Sequence, residues 1–171
     1  GGLADVAGAL PDALASLGVE VFELLPAYRL IDREAFAARV VLENLSVSLD
    51  GQDEVFRVLQ VKETTPGVRV LLIDHPYYFD RNGIYDDPRT KSEYPDTARR
   101  FVFFSKAALA TLSALGERID VLHCHDHQTA LALALRRLQY AADPALADAA
   151  GGFTIHNLGY QGVYDASLLE L

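Results

Sequence analysis

The chain opens with apolar residues at helical spacing and continues with short apolar runs separated by turn residues. The first pattern predicts a helix over residues 3–17, which Gly18 ends as a C-terminal cap. Pro11 lies inside this segment and predicts a kink or a restarted turn.

Later segments alternate between strand and helix patterns. Strands are predicted at 19–25, 39–49, 54–63, 68–73, 119–124 and 151–155. Helices are predicted at 94–115 and 128–140, and the start of another at 166–171. Asp50-Gly51 between the second and third strands is typical of a β-hairpin turn. From residue 68 onward the alternation predicts an α/β fold, with buried parallel strands at 68–73 and 119–124, crossover helices and one hairpin.

In an open parallel sheet, ligands bind beyond the carboxyl ends of the strands. Three polar segments follow predicted strands in this way: the long aromatic loop at 74–93, the turn at 123–127 and the pair His156-Asn157. The glycines Gly1 and Gly2 add free backbone amides at a helix start, where a phosphate can approach closely. We therefore expect a polar rim along one edge of the sheet.

Length, charge and composition limit the classes of fold and partner. The 171 residues, half of them apolar, suffice for one ordinary domain. The formal charge of −9 disfavours nucleic acid and anionic membranes as partners, whereas a neutral polysaccharide needs no charged surface. Cys124 is the only cysteine, which suits a reducing, cytoplasmic location and a core role for the thiol. No apolar run reaches the length of a membrane helix.

Each polar candidate also has a structural interpretation. The paired glycines are consistent with a simple turn, and Asp5 with an interaction with the helix dipole. The pair His156-Asn157 can cap a turn, and the aromatic residues of the long loop can pin it to the core or stack on sugar rings. A metal-dependent hydrolase is a further hypothesis; its ligands would be His123, His125, Asp126 and His127.

Several motifs, in this order, resemble those of glycogen and starch synthases. They are Gly-Gly-Leu-Ala-Asp-Val at 1–6 with Gly-Ala-Leu-Pro at 8–11, Ile-Asp-His-Pro at 73–76 with Phe-Asp-Arg at 79–81 and Gly-Ile-Tyr at 83–85, Tyr-Pro-Asp at 94–96 with Arg-Phe at 100–101, His-Cys-His-Asp at 123–126 with Gln-Thr-Ala at 128–130, and Phe-Thr-Ile-His-Asn-Leu at 153–158 with Tyr-Gln-Gly at 160–162. Each motif alone is weak, but the ordered set spans nearly the whole chain. One departure is His127, where the family usually has tryptophan.

The resemblance implies the fold and the activity. It implies a partial N-terminal Rossmann-like domain of a GT-B glycosyltransferase over residues 1–171, with the first strand and the C-terminal domain outside this chain. The family transfers glucose from ADP-glucose to the non-reducing end of an α-1,4-glucan with retention of configuration, and it uses no metal or other cofactor. We expect the chain to be inactive without the C-terminal domain.

The resemblance also assigns roles to single residues. Gly1 and Gly2 would lie near the nucleotide phosphates, while Asp5, Tyr85 and Asn157 would line the cleft for glucose and acceptor. Asp126 and His156 would serve catalysis, because oxygen atoms near the sugar stabilise its oxocarbenium-like transition state. A non-catalytic glucan-binding module stays open beside the enzyme and the hydrolase.

Overall fold

We describe residues 2–166 of a computed structural model of the chain. Gly1 and all but the first residue of the helix predicted at 166–171 lie outside the described residues; Ala166 itself is in a 3₁₀ conformation. The chain divides into two compact units, Gly1–Leu45 with Val55–Tyr94 and Ser46–Glu54 with Pro95–Leu171. Among the described residues, no helix combines the length and the apolar character that a membrane span requires.

The elements follow the predicted order along the chain. They are α1 (Gly2–Ser16), β1 (Val21–Pro26), β2 (Arg39–Leu49), β3 (Gln52–Gln60), β4 (Val68–Asp74), α2 (Pro76–Phe79), β5 (Asp86–Asp87), β6 (Ser92–Glu93), α3 (Thr97–Leu115), β7 (Val121–His125), α4 (His127–Gln139) and β8 (Ala150–Thr154). Helix α1 continues through the buried Pro11 as one element, so the predicted restart is wrong. Gly18 follows the helix with φ of 83°, as expected of a residue near a C-terminal cap.

Strands β1 to β4 form one mixed sheet in the order β1-β4-β3-β2. Strand β1 runs parallel to β4, and β3 runs antiparallel to β4. The predicted hairpin between β2 and β3 is confirmed: Asp50 and Gly51 both have positive φ, which a tight two-residue hairpin turn requires. Strand β4 is buried along most of its length, as its continuous apolar sequence predicts.

The segment after β4 contains more regular structure than the predicted loop at 74–93. It contains the short helix α2 and the two-residue ladder of β5 and β6. Tyr78 and Phe79 are fully buried, and the ring of Phe79 packs edge-on against that of Tyr28 in the same unit. Tyr77 and Tyr85 stay exposed, at 67% and 44% of their surface.

In the second unit, β7 and β8 pair in parallel and α4 connects them. The prediction that the strand at 119–124 is buried is wrong for one face of β7. Cys124 is buried, but Val121 is 62% exposed, because successive side chains of a strand point to opposite faces. Helix α3 ends at Gly116, whose φ of 69° terminates the helix.

Candidate active site

The carboxyl ends of β7 and β8 lie side by side. The parallel register runs from Val121 opposite Ala150 to His125 opposite Thr154. The first residues beyond each strand therefore meet at one edge, where open α/β sheets bind ligands. Asp126 follows β7, and His156 lies two positions beyond β8.

Asp126 connects the two strand ends. Its Oδ1 accepts a hydrogen bond from the backbone N–H of His156 at 2.7 Å and a longer one from that of Asn157 at 3.4 Å. Its own backbone N–H donates to the carbonyl oxygen of Thr154 at 2.9 Å. Although Asp126 is the N-terminal residue flanking α4, its side chain makes no cap hydrogen bond to that helix. The carboxylate instead fixes the backbone of the turn after β8.

The backbone of Asp126 adopts an unusual conformation. Its φ and ψ are 56° and 178°, in a region that essentially only glycine occupies without strain. The residue is also buried, at 9% relative exposure. A strained, buried carboxylate at a strand end is consistent with a functional constraint, because strain of this kind clusters at active and ligand-binding sites.

The side chain of His156 contacts a second histidine. Its Nε2 lies 3.0 Å from Nδ1 of His125, and the two rings are nearly parallel with centroids 5.2 Å apart. The ring of His123 lies on His125 with a centroid distance of 4.2 Å, while its own Nε2 lies 2.7 Å from the hydroxyl of Thr154. Burial lowers the pKa of His125, and the nearby charges of His123 and His156 lower it further. These effects favour the neutral form of His125.

The remaining candidates of the second unit have clear local contacts. Asn157 accepts a hydrogen bond at its side-chain oxygen from the N–H of Gly159, which stabilises the turn after His156. Cys124 is buried, and desolvation raises the pKa of its thiol to about 11, as expected of a core residue. Within residues 2–166, no group of three or more His, Cys, Asp or Glu side chains is placed to hold a metal ion.

The other predicted site residues belong to the first unit, whereas Asp126 and His156 belong to the second. Gly2 is the first residue of α1, and no atom lies within 4 Å of where a Cβ would stand. Asp5 lies exposed in the first turn of the same helix. Tyr85 lies just before β5, and its carbonyl oxygen accepts a hydrogen bond from the N–H of Tyr94 at 3.3 Å. Gly1 lies outside the described residues.

Sequence reasoning missed the role of Thr129. Its hydroxyl accepts a hydrogen bond from the backbone N–H of His125 and donates to the carbonyl oxygen of the same residue, both at 2.7 Å. Thr129 thereby fixes the end of β7 from the first turn of α4. The available signal was a hydroxyl residue four positions after the last strand residue, a spacing that suits side-chain to backbone bonds.

Comparison with known proteins identifies the family. All 171 residues match the family described as the starch synthase catalytic domain. The chain belongs to this family. Among curated relatives, it is 40% identical over 173 residues to the glycogen synthase of Koribacter versatilis, covering all of this chain and 34% of that protein. It is also 40% identical over 166 residues to glycogen synthase 2 of Geobacter sulfurreducens, covering 97% of this chain and 34% of the relative.

A solved structure confirms the fold class. The catalytic domain of starch synthase IV from Arabidopsis thaliana, bound to ADP and acarbose, matches with a TM-score of 0.81 and 34% identity. The match covers 99% of this chain and 33% of that one. The resemblance to glycogen and starch synthases and the α/β, GT-B assignment are thus confirmed, and the hydrolase and the non-catalytic module are not favoured. The chain spans about a third of the length of these relatives.

His127, where the resemblance predicts tryptophan in the family, contacts the segment at 160–164. It donates its Nδ1–H to the carbonyl oxygen of Tyr160 at 3.1 Å, and its Nε2 lies 3.5 Å from the hydroxyl of Tyr164. A Cβ built on Gly162 would lie only 2.5 Å from Cδ2 of His127. His127 therefore packs against the segment at 160–164 and fixes its path.

Proposed function

We propose that the protein containing this chain is a glycogen or starch synthase that transfers glucose from ADP-glucose to the non-reducing end of an α-1,4-glucan with retention. The observation that carries this proposal is the match of the whole chain to the starch synthase catalytic domain. The similarity to a starch synthase bound to ADP and acarbose supports the same ligand classes, a nucleotide and an α-glucan-like oligosaccharide. The remaining two thirds of the protein would supply the C-terminal domain, and we expect a cytoplasmic location.

The geometry at the ends of β7 and β8 suggests how the chain contributes. Glucosyl transfer develops positive charge on the sugar, which nearby carboxylate and carbonyl oxygens stabilise. Oδ1 of Asp126 is engaged by the N–H groups of His156 and Asn157, whereas Oδ2 has no hydrogen-bond partner among the described residues. In this proposal, Oδ2 of Asp126 and the carbonyl oxygen of His156 face the sugar, while Asp5, Tyr85 and Asn157 line the cleft.

The leaving ADP requires a different environment. Its diphosphate needs amides and cations. The amide of Gly2, the first residue of α1, and that of Gly1, which lies outside the described residues, would supply part of this need. A Cβ at Gly2 would meet open space, which supports a close approach of phosphate. The cationic side chains that complete the site would come from the C-terminal domain.

Incorporation of labelled glucose tests the proposal. The full gene product should transfer glucose from ADP-glucose to glycogen, while residues 1–171 alone should not. His156→Ala removes the ring and keeps the carbonyl oxygen; it should reduce incorporation at least about 100-fold, the scale of losing one side-chain hydrogen bond to the transition state. Absence of transfer by the full-length protein from both ADP-glucose and UDP-glucose would refute the assignment. Unchanged incorporation by His156→Ala would refute a catalytic role for the ring of His156.

A further inference from the structure

The ring of His156 makes one hydrogen bond among the described residues. Its Nε2 faces Nδ1 of His125 at 3.0 Å, and its own Nδ1 has no partner there. A hydrogen bond between two ring nitrogens places one hydrogen atom between them, so the tautomer of one ring constrains that of the other. The contact also fixes the plane of the His156 ring, because the two rings are inclined by only 19°.

His125 is well held for this purpose. Thr129 makes two hydrogen bonds of 2.7 Å to its backbone, and its ring nitrogen lies 3.0 Å from that of His156. A neutral imidazole in a fixed place can orient a neighbouring histidine, as the outer partners of metal-bound histidines do. The partial burial of His125 also favours this neutral form.

We propose that His125 is a positioning residue that fixes the ring orientation and the tautomer of His156, leaving Nδ1 of His156 as its open ring nitrogen. This inference rests on the proposed function only in placing His156 at the glucosyl site. His125 itself need not touch the sugar. It acts through the ring of His156, just as Asp126 acts on the backbone of the same residue.

Matched substitutions separate this role from simple packing. In His125→Asn, the amide occupies roughly the place of Nδ1 and keeps a hydrogen-bonding group toward His156. In His125→Leu, the side chain has a similar bulk but no group that can form a hydrogen bond to His156. His123→Leu is the control, because its ring lies on His125 but its Nε2 bonds Thr154 and not His156. His125→Gln, whose amide reaches the Nε2 position instead, replaces the leucine variant if that variant does not fold.

The first readout is the tautomer of His156, measured in the full gene product by long-range ¹H–¹⁵N correlation of labelled histidine. The native protein, His125→Asn and His123→Leu should show one tautomer, and His125→Leu a mixture. The second readout is kinetic: His125→Leu should lower kcat by about 10- to 100-fold, the usual effect of removing an outer partner, with KM nearly unchanged. Asn should restore most of this loss, and His123→Leu should stay within about threefold of the native kcat.

Two results would overturn the inference. One is the native tautomer and native kcat in folded His125→Leu. The other is a folded His125→Asn that behaves like the leucine variant in both readouts. If the native full-length protein transfers no glucose, the proposed function fails, but the tautomer measurement still tests the coupling between the two histidines.

Discussion

Asp126 offers the sharpest test, because the two effects of its replacement can be separated. The residue combines a hydrogen-bonded carboxylate with a backbone conformation that strains any side chain bearing a Cβ. Asp126→Ala removes the carboxylate and keeps the strain. Asp126→Gly removes both, and Asp126→Asn keeps an oxygen at the position of Oδ1.

The expected magnitudes follow from the contacts. A hydrogen bond to a charged group contributes about 1.5–3 kcal/mol, and the 2.7 Å contact with the His156 N–H is of this kind. The longer 3.4 Å hydrogen bond from the Asn157 N–H adds little to this free energy. The strained conformation costs about 1–3 kcal/mol, which glycine relieves. Asp126→Ala should therefore destabilise the site by about 1.5–3 kcal/mol, Asp126→Gly by much less, and Asp126→Asn by about 1 kcal/mol.

Amide hydrogen exchange measures the hydrogen bonds, and urea unfolding measures the strain. In Asp126→Ala and Asp126→Gly, protection of the His156 amide should fall about 10- to 100-fold, the equivalent of the lost bond. Both variants should lose glucose transfer, although the glycine variant is the more stable. Native protection of this amide in the alanine variant would refute the role of the carboxylate. Equal unfolding midpoints for alanine and glycine would show that the backbone at Asp126 stores no strain.

Three further outcomes can be checked on the same protein. Gly162→Ala should destabilise the protein more than Gly116→Ala: the two glycines have similar φ values of 64° and 69°, but only a Cβ at Gly162 would clash with His127. Equal thermal midpoints for the two variants would contradict the clash. Burial and a nearby carboxylate raise the pKa of Glu23 from 4.5 to about 7, so the free energy of unfolding should fall as pH rises from about 4.5 to about 7 and stay level above that. In urea titrations, Glu23→Gln should therefore stabilise the protein at pH 8 by roughly 1 kcal/mol, after allowance for partial exposure, and have no effect at pH 4. Cys124 has a pKa of about 11, so in the folded protein it should react with a thiol reagent at pH 8 about 100-fold more slowly than an exposed thiol. Fast labelling of the native protein would contradict its burial.

Local patterns were sufficient to predict most elements of the fold. The bounds predicted for β2 agree with the structure at both ends, and the turn at Asp50-Gly51 follows from residues that tolerate positive φ. The apolar run of β4 predicted a buried strand because a strand covered on both faces needs no polar side. Such features depend on residues close in sequence, so a single chain contains the information.

The predictions that failed depend on contacts between residues distant in sequence or on small opposing energies. The restarted turn predicted at Pro11 is wrong, since α1 runs through this buried residue as one helix; the predicted kink stays a prediction. The exposed face of β7 at Val121 depends on what covers the strand, which its apolar sequence does not specify. No local pattern predicts the 3.0 Å contact between His125 and His156, because it joins positions 31 residues apart. The roles of Gly1, Gly2, Asp5, Tyr85, Asp126, His156 and Asn157 toward substrate stay predictions.

The position of His156 is determined mainly by the end of the neighbouring strand. Asp126 holds its backbone and His125 holds its ring, from 30 and 31 residues earlier in the chain. Because both contacts come from the end of β7 or the residue after it, we expect substitutions in the segment that follows His156 to move this histidine little. A substitution that shifts the end of β7, such as Thr129→Val, should therefore disturb His156 more than a substitution of comparable size at the exposed Leu158.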